Sequence, residues 1–273
     1  MPASPNQALW EKGDFTRIAA TMRESGEALV RTLGIKIGLK ILDLGCGDGT
    51  TTALPAANLG ADVLGVDIAR NLLEAGKRHA QKKGLMNLRF QEGDAADLAE
   101  LRDKTFDLVV SIFGAMFAAK PFDVAKEMVR VTRPGGRIVM GNWIPNEPNL
   151  IAQIFRIRAA YAPPPEGLIS PMTWGIEANA IERFVRAGIR QDNVSFRRET
   201  YNFNFPAAPA KLVDEFRRYH GDTMNAFEAA EKNACADDLR KELEALFESQ
   251  NASPRMDATL IPTTFLLVTV AVI

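Results

Sequence analysis

An alternation is the feature that most constrains this fold. Between residues 40 and 143, short apolar runs of strand character recur, and most lead into a stretch with helical spacing. Lys40-Ile-Leu-Asp-Leu44 runs into Gly45-Cys-Gly-Asp-Gly49 and then a helix predicted over 50–59, where Pro55 is tolerated only near the first turn. A second strand over 62–67 precedes an amphipathic helix over 71–83. A third over 87–91 precedes Gly93-Asp-Ala-Ala-Asp97. A fourth over 106–112 precedes a helix over 122–132, stopped by Pro134-Gly135-Gly136, and a fifth follows over 137–143. Five strand-first units in a row predict a mostly parallel sheet with helices on both faces.

The rest of the chain is more helical. Residues 14–33 carry Phe15, Ile18, Ala19, Met22, Ala28 and Leu29 near the helical period, which predicts one or two helices. Helices are expected over 150–161, 178–188 and most of 210–249, and strands over 194–205 and 260–273. Pro163-Pro-Pro165 reads as a rigid loop. No repeat or linker divides the sequence. The expectation is a single domain over 1–273, with a core of about 34–143, 189–206 and 258–273. The cap would come from 1–33, 144–188 and 207–257.

Charge and cysteine usage narrow the class of function. The net charge is -1, and the densest basic groups are pairs: Lys82-Lys83, Arg197-Arg198 and Arg217-Arg218. These read as solvated faces, and no nucleic-acid partner is expected. Cys46 and Cys235 have no metal-ligand spacing, so no metal and a reducing, cytoplasmic setting are expected. Residues 1–15 lack the apolar stretch of a secretory signal, and 265–273 is too short to span a bilayer.

The chemistry starts at the glycine turn. Glycines between a strand and a helix let a ligand approach the backbone, but the turn alone is a weak signal. Asp67 ends the next strand, where a carboxylate can accept both ribose hydroxyl protons. Asp43, two residues before Gly45, would repel a pyrophosphate and welcome an ammonium. Asp94 follows the third strand and could accept adenine amino protons. The inferred ligand has ribose, adenine, ammonium and carboxylate but no phosphate. S-adenosyl-L-methionine fits that description, whereas a nicotinamide dinucleotide is opposed by Asp43.

Several segments together resemble a known family. Ile41-Leu-Asp-Leu-Gly-Cys-Gly-Asp-Gly49, Gly65-Val-Asp-Ile68, Gly93-Asp-Ala95, Phe106-Asp-Leu-Val-Val-Ser111 and Arg133-Pro-Gly-Gly-Arg137 lie in its order and spacing. The chain resembles the class I S-adenosylmethionine-dependent methyltransferases, near the UbiE-like, or methyltransferase type 11, group. The resemblance implies a Rossmann-like α/β three-layer sandwich whose seven-stranded sheet takes its last strand antiparallel. It also implies cofactor contacts from Asp43, Gly45, Gly47, Asp67, Ile68, Asp94, Ala95 and Ser111. Cys46, inside the same turn, is counted with them, its thiol serving to pack. Trp10-Glu-Lys-Gly-Asp14, Phe113-Gly-Ala-Met-Phe117 and Gly141-Asn-Trp143 resemble a bacterial subgroup in which the N-terminal segment folds over the cofactor.

The acceptor side is read from residues near the strand ends. Phe113 and Phe117 follow the fourth strand, where this fold presents the methyl group, and a face-on ring there could stabilise a sulfonium. Trp10, Asn142 and Trp143 are expected to line the same pocket. His79 reads as a helix-surface residue. His220, in the covering segment, is a weak candidate base, and a structural or solvated histidine is the better reading. The expected reaction is in-line methyl transfer to a heteroatom of a small molecule, driven by alignment. The alternatives are an RNA or protein methyltransferase, or a cofactor-binding protein of the same fold without catalysis. The stretch after the fourth strand lacks the Asn-Pro-Pro-Tyr type of motif that holds a base amine.

Overall fold

The computed structural model describes residues 4–273; the expectations that touch residues 1–3 lie outside the described residues. Its seven strands are β1 (Lys40–Leu44), β2 (Asp62–Asp67), β3 (Leu88–Glu92), β4 (Phe106–Ile112), β5 (Thr132–Trp143), β6 (Val194–Phe205) and β7 (Thr259–Ala271). They form one sheet in the order β3-β2-β1-β4-β5-β7-β6. Pairing is parallel from β3 through β5, and β7 is antiparallel to both β5 and β6. The order reverses between β1 and β4, which opens a crevice beyond their carboxyl ends. β1 and β4 are buried almost throughout, as strands covered on both faces must be.

The helices are α1 (Pro5–Glu11), α2 (Thr16–Thr32), α3 (Ala53–Asn58), α4 (Arg70–Lys82), α5 (Pro121–Val131), α6 (Leu150–Tyr161), α7 (Glu177–Arg186), α8 (Pro209–Tyr219), α9 (Gly221–Lys232) and α10 (Ala236–Gln250). Among the described residues, no helix is long and apolar enough to cross a membrane. Helices α6, α8, α9 and α10 pack on one another, and α1 joins them through α9. Two segments expected in the cap also pack on the sheet layer. Helix α2 packs on β6, and α7 packs on α5 and touches β6, because each has an apolar stripe that the sheet layer buries.

Three other departures have local causes. Helix α1 was not expected; Ser4 caps it by accepting from the N–H of Gln7 at 3.2 Å, and Pro5 occupies its first position. Helix α3 starts at Ala53 rather than residue 50. The Asp48 carboxylate accepts from the N–H of Thr50 at 3.0 Å and from its hydroxyl at 2.8 Å, so residues 50–52 extend the turn. β5 begins at Thr132, which pairs with Phe106. Pro134-Gly135-Gly136 then forms an irregularity within the strand before pairing resumes at Arg137.

Candidate active site

The glycine turn after β1 is set by backbone geometry. Gly45, Gly47 and Gly49 have φ of 69°, 56° and 75°, the left-handed region that favours glycine. The N–H groups of Gly45 and Cys46 both donate to the Val66 carbonyl, at 2.8 and 3.1 Å, which ties the turn to β2. Asp67, at the end of β2, completes the tie. One carboxylate oxygen accepts from the N–H of Gly47 at 2.7 Å and the other from the N–H of Ala69 at 2.9 Å. Burial raises the Asp67 carboxyl above its usual range, and those backbone donors offset part of the rise. Each oxygen retains acceptor capacity beyond these bonds.

A cleft of about 1210 Å³, including its open mouth, starts at this turn. It brings together Gly45, Cys46, Gly47, Asp67, Ile68, Asp94 and Ala95 with Trp10, Phe113, Phe117, Trp143 and His220. A Cβ on Gly47 would meet nothing within 4 Å, so the backbone there faces open space. The Cys46 thiol lies over β2, where a Cβ on Gly65 would come within 2.8 Å of it. Burial and three carboxylates push that thiol's pKa well up, so it is an unreactive packing group.

Three residues expected in the site do not line the cleft. Asp43 is buried behind the turn, with one carboxylate oxygen lacking a hydrogen-bond partner. Burial first, and then the negative charge of Asp67, push its carboxyl up to about 8. At neutral pH it is mostly uncharged, which removes the argument that it repels a pyrophosphate. Ser111 is buried, and its hydroxyl accepts from the N–H of Ala115 at 2.8 Å. It fixes the loop carrying Phe113 and Phe117 rather than facing the cleft. Asn142 is fully buried, with both amide atoms unpartnered. It neighbours Trp143 on a strand, so the two side chains point to opposite faces, and Trp143 is the one on the cleft.

The far end of the cleft is aromatic. Phe113 stacks on Trp143 with ring centroids 3.6 Å apart and planes within 7°. Its φ of 59° is costly for a bulky residue, by about 1–3 kcal/mol. Trp10 meets Phe117 edge-on at 5.0 Å and Phe15 at 5.6 Å, so α1 closes one side. The Trp10–Asp14 segment is held by close fits. A Cβ on Gly13 would lie 2.1 Å from the Tyr219 carbonyl oxygen, and Asp14 accepts from the Thr16 hydroxyl at 2.6 Å.

His220 sits between α8 and α9. Its Nδ1 accepts from the N–H of Thr223 at 3.3 Å, capping α9 and leaving the neutral ring's proton on Nε2. Burial, with the adjacent Arg158 charge, pushes its pKa down to about 4. This ring is a neutral donor at physiological pH and not a free base. Sequence pattern alone passes over Arg158. It is buried in the cleft wall with its Nη1 3.3 Å from Asp222. Its signal was positional: Ile151, Ile154 and Arg158 share one helical stripe. His79 lies outside the cleft, 3.5 Å from Asp48.

Comparison with known proteins bears on the family and the fold. Residues 42–140 match the family model described as a methyltransferase domain. An uncharacterized protein of Mycobacterium tuberculosis is 31% identical over 251 residues, spanning 90% of this chain and 88% of that one. The demethylmenaquinone methyltransferase of Paenarthrobacter aurescens is 36% identical over 115 residues, 42% of this chain and 43% of that one. Among solved structures, the YcgJ protein of Bacillus subtilis superposes with a TM-score of 0.57 at 18% identity, covering 90% of this chain and 97% of that one. A Haemonchus contortus phosphoethanolamine N-methyltransferase, bound to phosphomonomethylethanolamine and S-adenosylhomocysteine, gives 0.63 at 13% identity, covering 98% and 60%. These two share the fold. The chain belongs to the class I S-adenosylmethionine-dependent methyltransferases, in the methyltransferase type 11 group. It is a transferase whose methyl donor is S-adenosylmethionine.

Proposed function

We propose that the whole chain acts as one domain that methylates a heteroatom of a small, partly apolar molecule by in-line displacement, in the cytoplasm. The carrying observation is the continuity of one cleft from the glycine turn and Asp67 to an aromatic chamber closed by α1. The donor end fits its ligand. Gly47 faces open space, Asp67 has acceptor capacity left for ribose hydroxyls, and Asp94, Ala95 and Ile68 form a wall for adenine. Gly45 and Cys46 shape the floor of the turn. Bound there, S-adenosylmethionine supplies a methyl group on a sulfonium and leaves as the neutral thioether.

The remaining work falls to the chain's own residues. Phe113, stacked on Trp143, and Phe117, held by Trp10, exclude water and align the acceptor. His220 donates a hydrogen bond from Nε2 rather than removing a proton. The net charge of -1 and the closure by α1 favour a small acceptor over a nucleic acid. The test is transfer of labelled methyl groups to a panel of phenols, amines, thiols and carboxylic acids beside bulk tRNA. Transfer to panel members is expected, and transfer confined to tRNA would sink the small-molecule reading.

A further inference from the structure

We propose that Arg158 and His220 form the acceptor's recognition site, and that it takes an organic oxyanion, a carboxylate or phenolate, carried on an apolar body. The inference rests on the methyltransferase reading and names the substrate class of the same cleft. Arg158 lies on the inner stripe of α6 and is only 7% exposed. A guanidinium in an apolar wall is costly unless its donors are met. Here they are not. Nη1 faces Asp222 at 3.3 Å and His220 Nδ1 at 3.4 Å, both longer than the 2.7–2.9 Å or so of a charge-assisted bond. Nε is buried without a partner, and Nη2 makes no hydrogen bond among the described residues.

The surroundings define the shape of what would satisfy it. The Phe155 ring lies under the guanidinium at 4.6 Å, and Phe216 stacks on His220 at 5.5 Å. Trp10 and Phe15 close on the same imidazole at 6.2 and 5.9 Å. With Thr223 holding Nδ1, the Nε2–H is the free donor of the ring. Two kinds of donor, a planar fork and a neutral N–H, thus line the same aromatic-walled cleft. Asp222 offsets the charge through Nη1 alone, so a neutral polar head would leave Nε and Nη2 weakly met, and a cationic one would be repelled by the guanidinium. An anionic oxygen on a flat apolar body meets both demands.

The same oxyanion chemistry could come from the methyl donor's own carboxylate, and the experiment separates the two. The full chain saturated with S-adenosylhomocysteine is titrated with 2-naphthoate and with 2-naphthamide, which share size and shape. The carboxylate is expected to bind at least about tenfold more tightly. Arg158→Met should erase that preference while leaving S-adenosylhomocysteine affinity unchanged. The double variant Arg158→Met with Asp222→Asn, which strands no carboxylate, should behave the same way. Equal binding of the two probes, no binding of naphthoate, or a preference that survives in the folded variants overturns the proposal. So does an about tenfold loss of S-adenosylhomocysteine affinity in Arg158→Met, which would assign the arginine to the donor's carboxylate. Failure of the unmodified chain to bind S-adenosylhomocysteine would instead bring down the reading on which the proposal stands.

Discussion

Gly45 and Gly114 touch backbone to backbone: a Cβ on Gly114 would stand 2.2 Å from the Gly45 carbonyl oxygen, and a Cβ on Gly45 2.7 Å from the Gly114 Cα. The contact joins the loops after β1 and β4, the two strands between which the sheet order reverses. Gly114→Ala should therefore force the loops apart. A loss of about 1–3 kcal/mol is expected in thermal unfolding, with weaker S-adenosylhomocysteine binding by calorimetry. A variant as stable and as tight as the parent would show that the loops can separate freely.

Asp67 is assigned two tasks, holding the turn and taking the ribose. Asp67→Ala should weaken S-adenosylmethionine binding at least about tenfold, since each charge-assisted bond is worth about 1.5–3 kcal/mol. Circular dichroism should show the fold retained, because β2 is anchored by the strands on either side. Unchanged affinity would remove Asp67 from the cofactor site.

The N-terminal lid can be tested without deleting it. Trp10→Ala removes the edge contacts to Phe117 and Phe15. Gly13→Val drives a side chain into the Tyr219 carbonyl. Both should speed S-adenosylhomocysteine release several-fold in stopped-flow fluorescence, and the second should also lower the melting temperature. Release rates equal to the parent's would exclude residues 10–14 from the closure.

The buried carboxyl of Asp43 predicts a pH dependence of definite sign. Its pKa is raised to about 8 in the folded protein, against a usual value near 3.8, so the folded state binds the extra proton between these values. Its contribution to stability is present at low pH and is lost as pH rises through about 8. A cationic ligand nearby favours the ionised form, so S-adenosylmethionine binding should release protons and tighten from about pH 6 to about pH 9. Asp43→Asn should flatten both profiles. Calorimetry in buffers of differing ionisation enthalpy measures the proton release, and a release of zero in the parent would refute the coupling. His220 works at the other end. Its ring, held down to about 4, makes acidification from about pH 6.5 destabilising, and His220→Gln should remove that component.

Much of this architecture is readable from the chain. The strands over 106–112 and 194–205 and the helix over 150–161 are the observed β4, β6 and α6 to the residue: β4 is a short continuous apolar run, β6 is rich in alternating β-formers, and α6 follows a capping Asn149. Helix α1 escapes that reading because seven residues give barely two turns of pattern. Asp43 misleads for a different reason. β1 is covered on both faces, so alternation along it cannot separate a ligand-facing side chain from a core one. Asn142 and Trp143 cannot both face the cleft, since adjacent strand residues diverge. Arg158 escapes a sequence reading because a cation at a helical position is ordinarily exposed, and only its place on the Ile151 and Ile154 stripe argues otherwise.

The fastenings of α1 have a consequence for turnover. On the sheet side, Gln7 donates to Glu92 at 3.2 Å and Glu11 accepts from the N–H of Arg70 at 3.1 Å. On the cap side, Lys12 pairs with Glu228 at 2.8 Å, and Gly221 leaves room for the Leu9 carbonyl. Of these ties only Lys12–Glu228 is an ion pair near solvent, worth about 0–1 kcal/mol and weakened by dissolved ions. Added salt should therefore loosen the cap-side tie of α1 and hasten product exchange, while the buried Gln7 bond and the Trp10 ring contacts are insensitive to it.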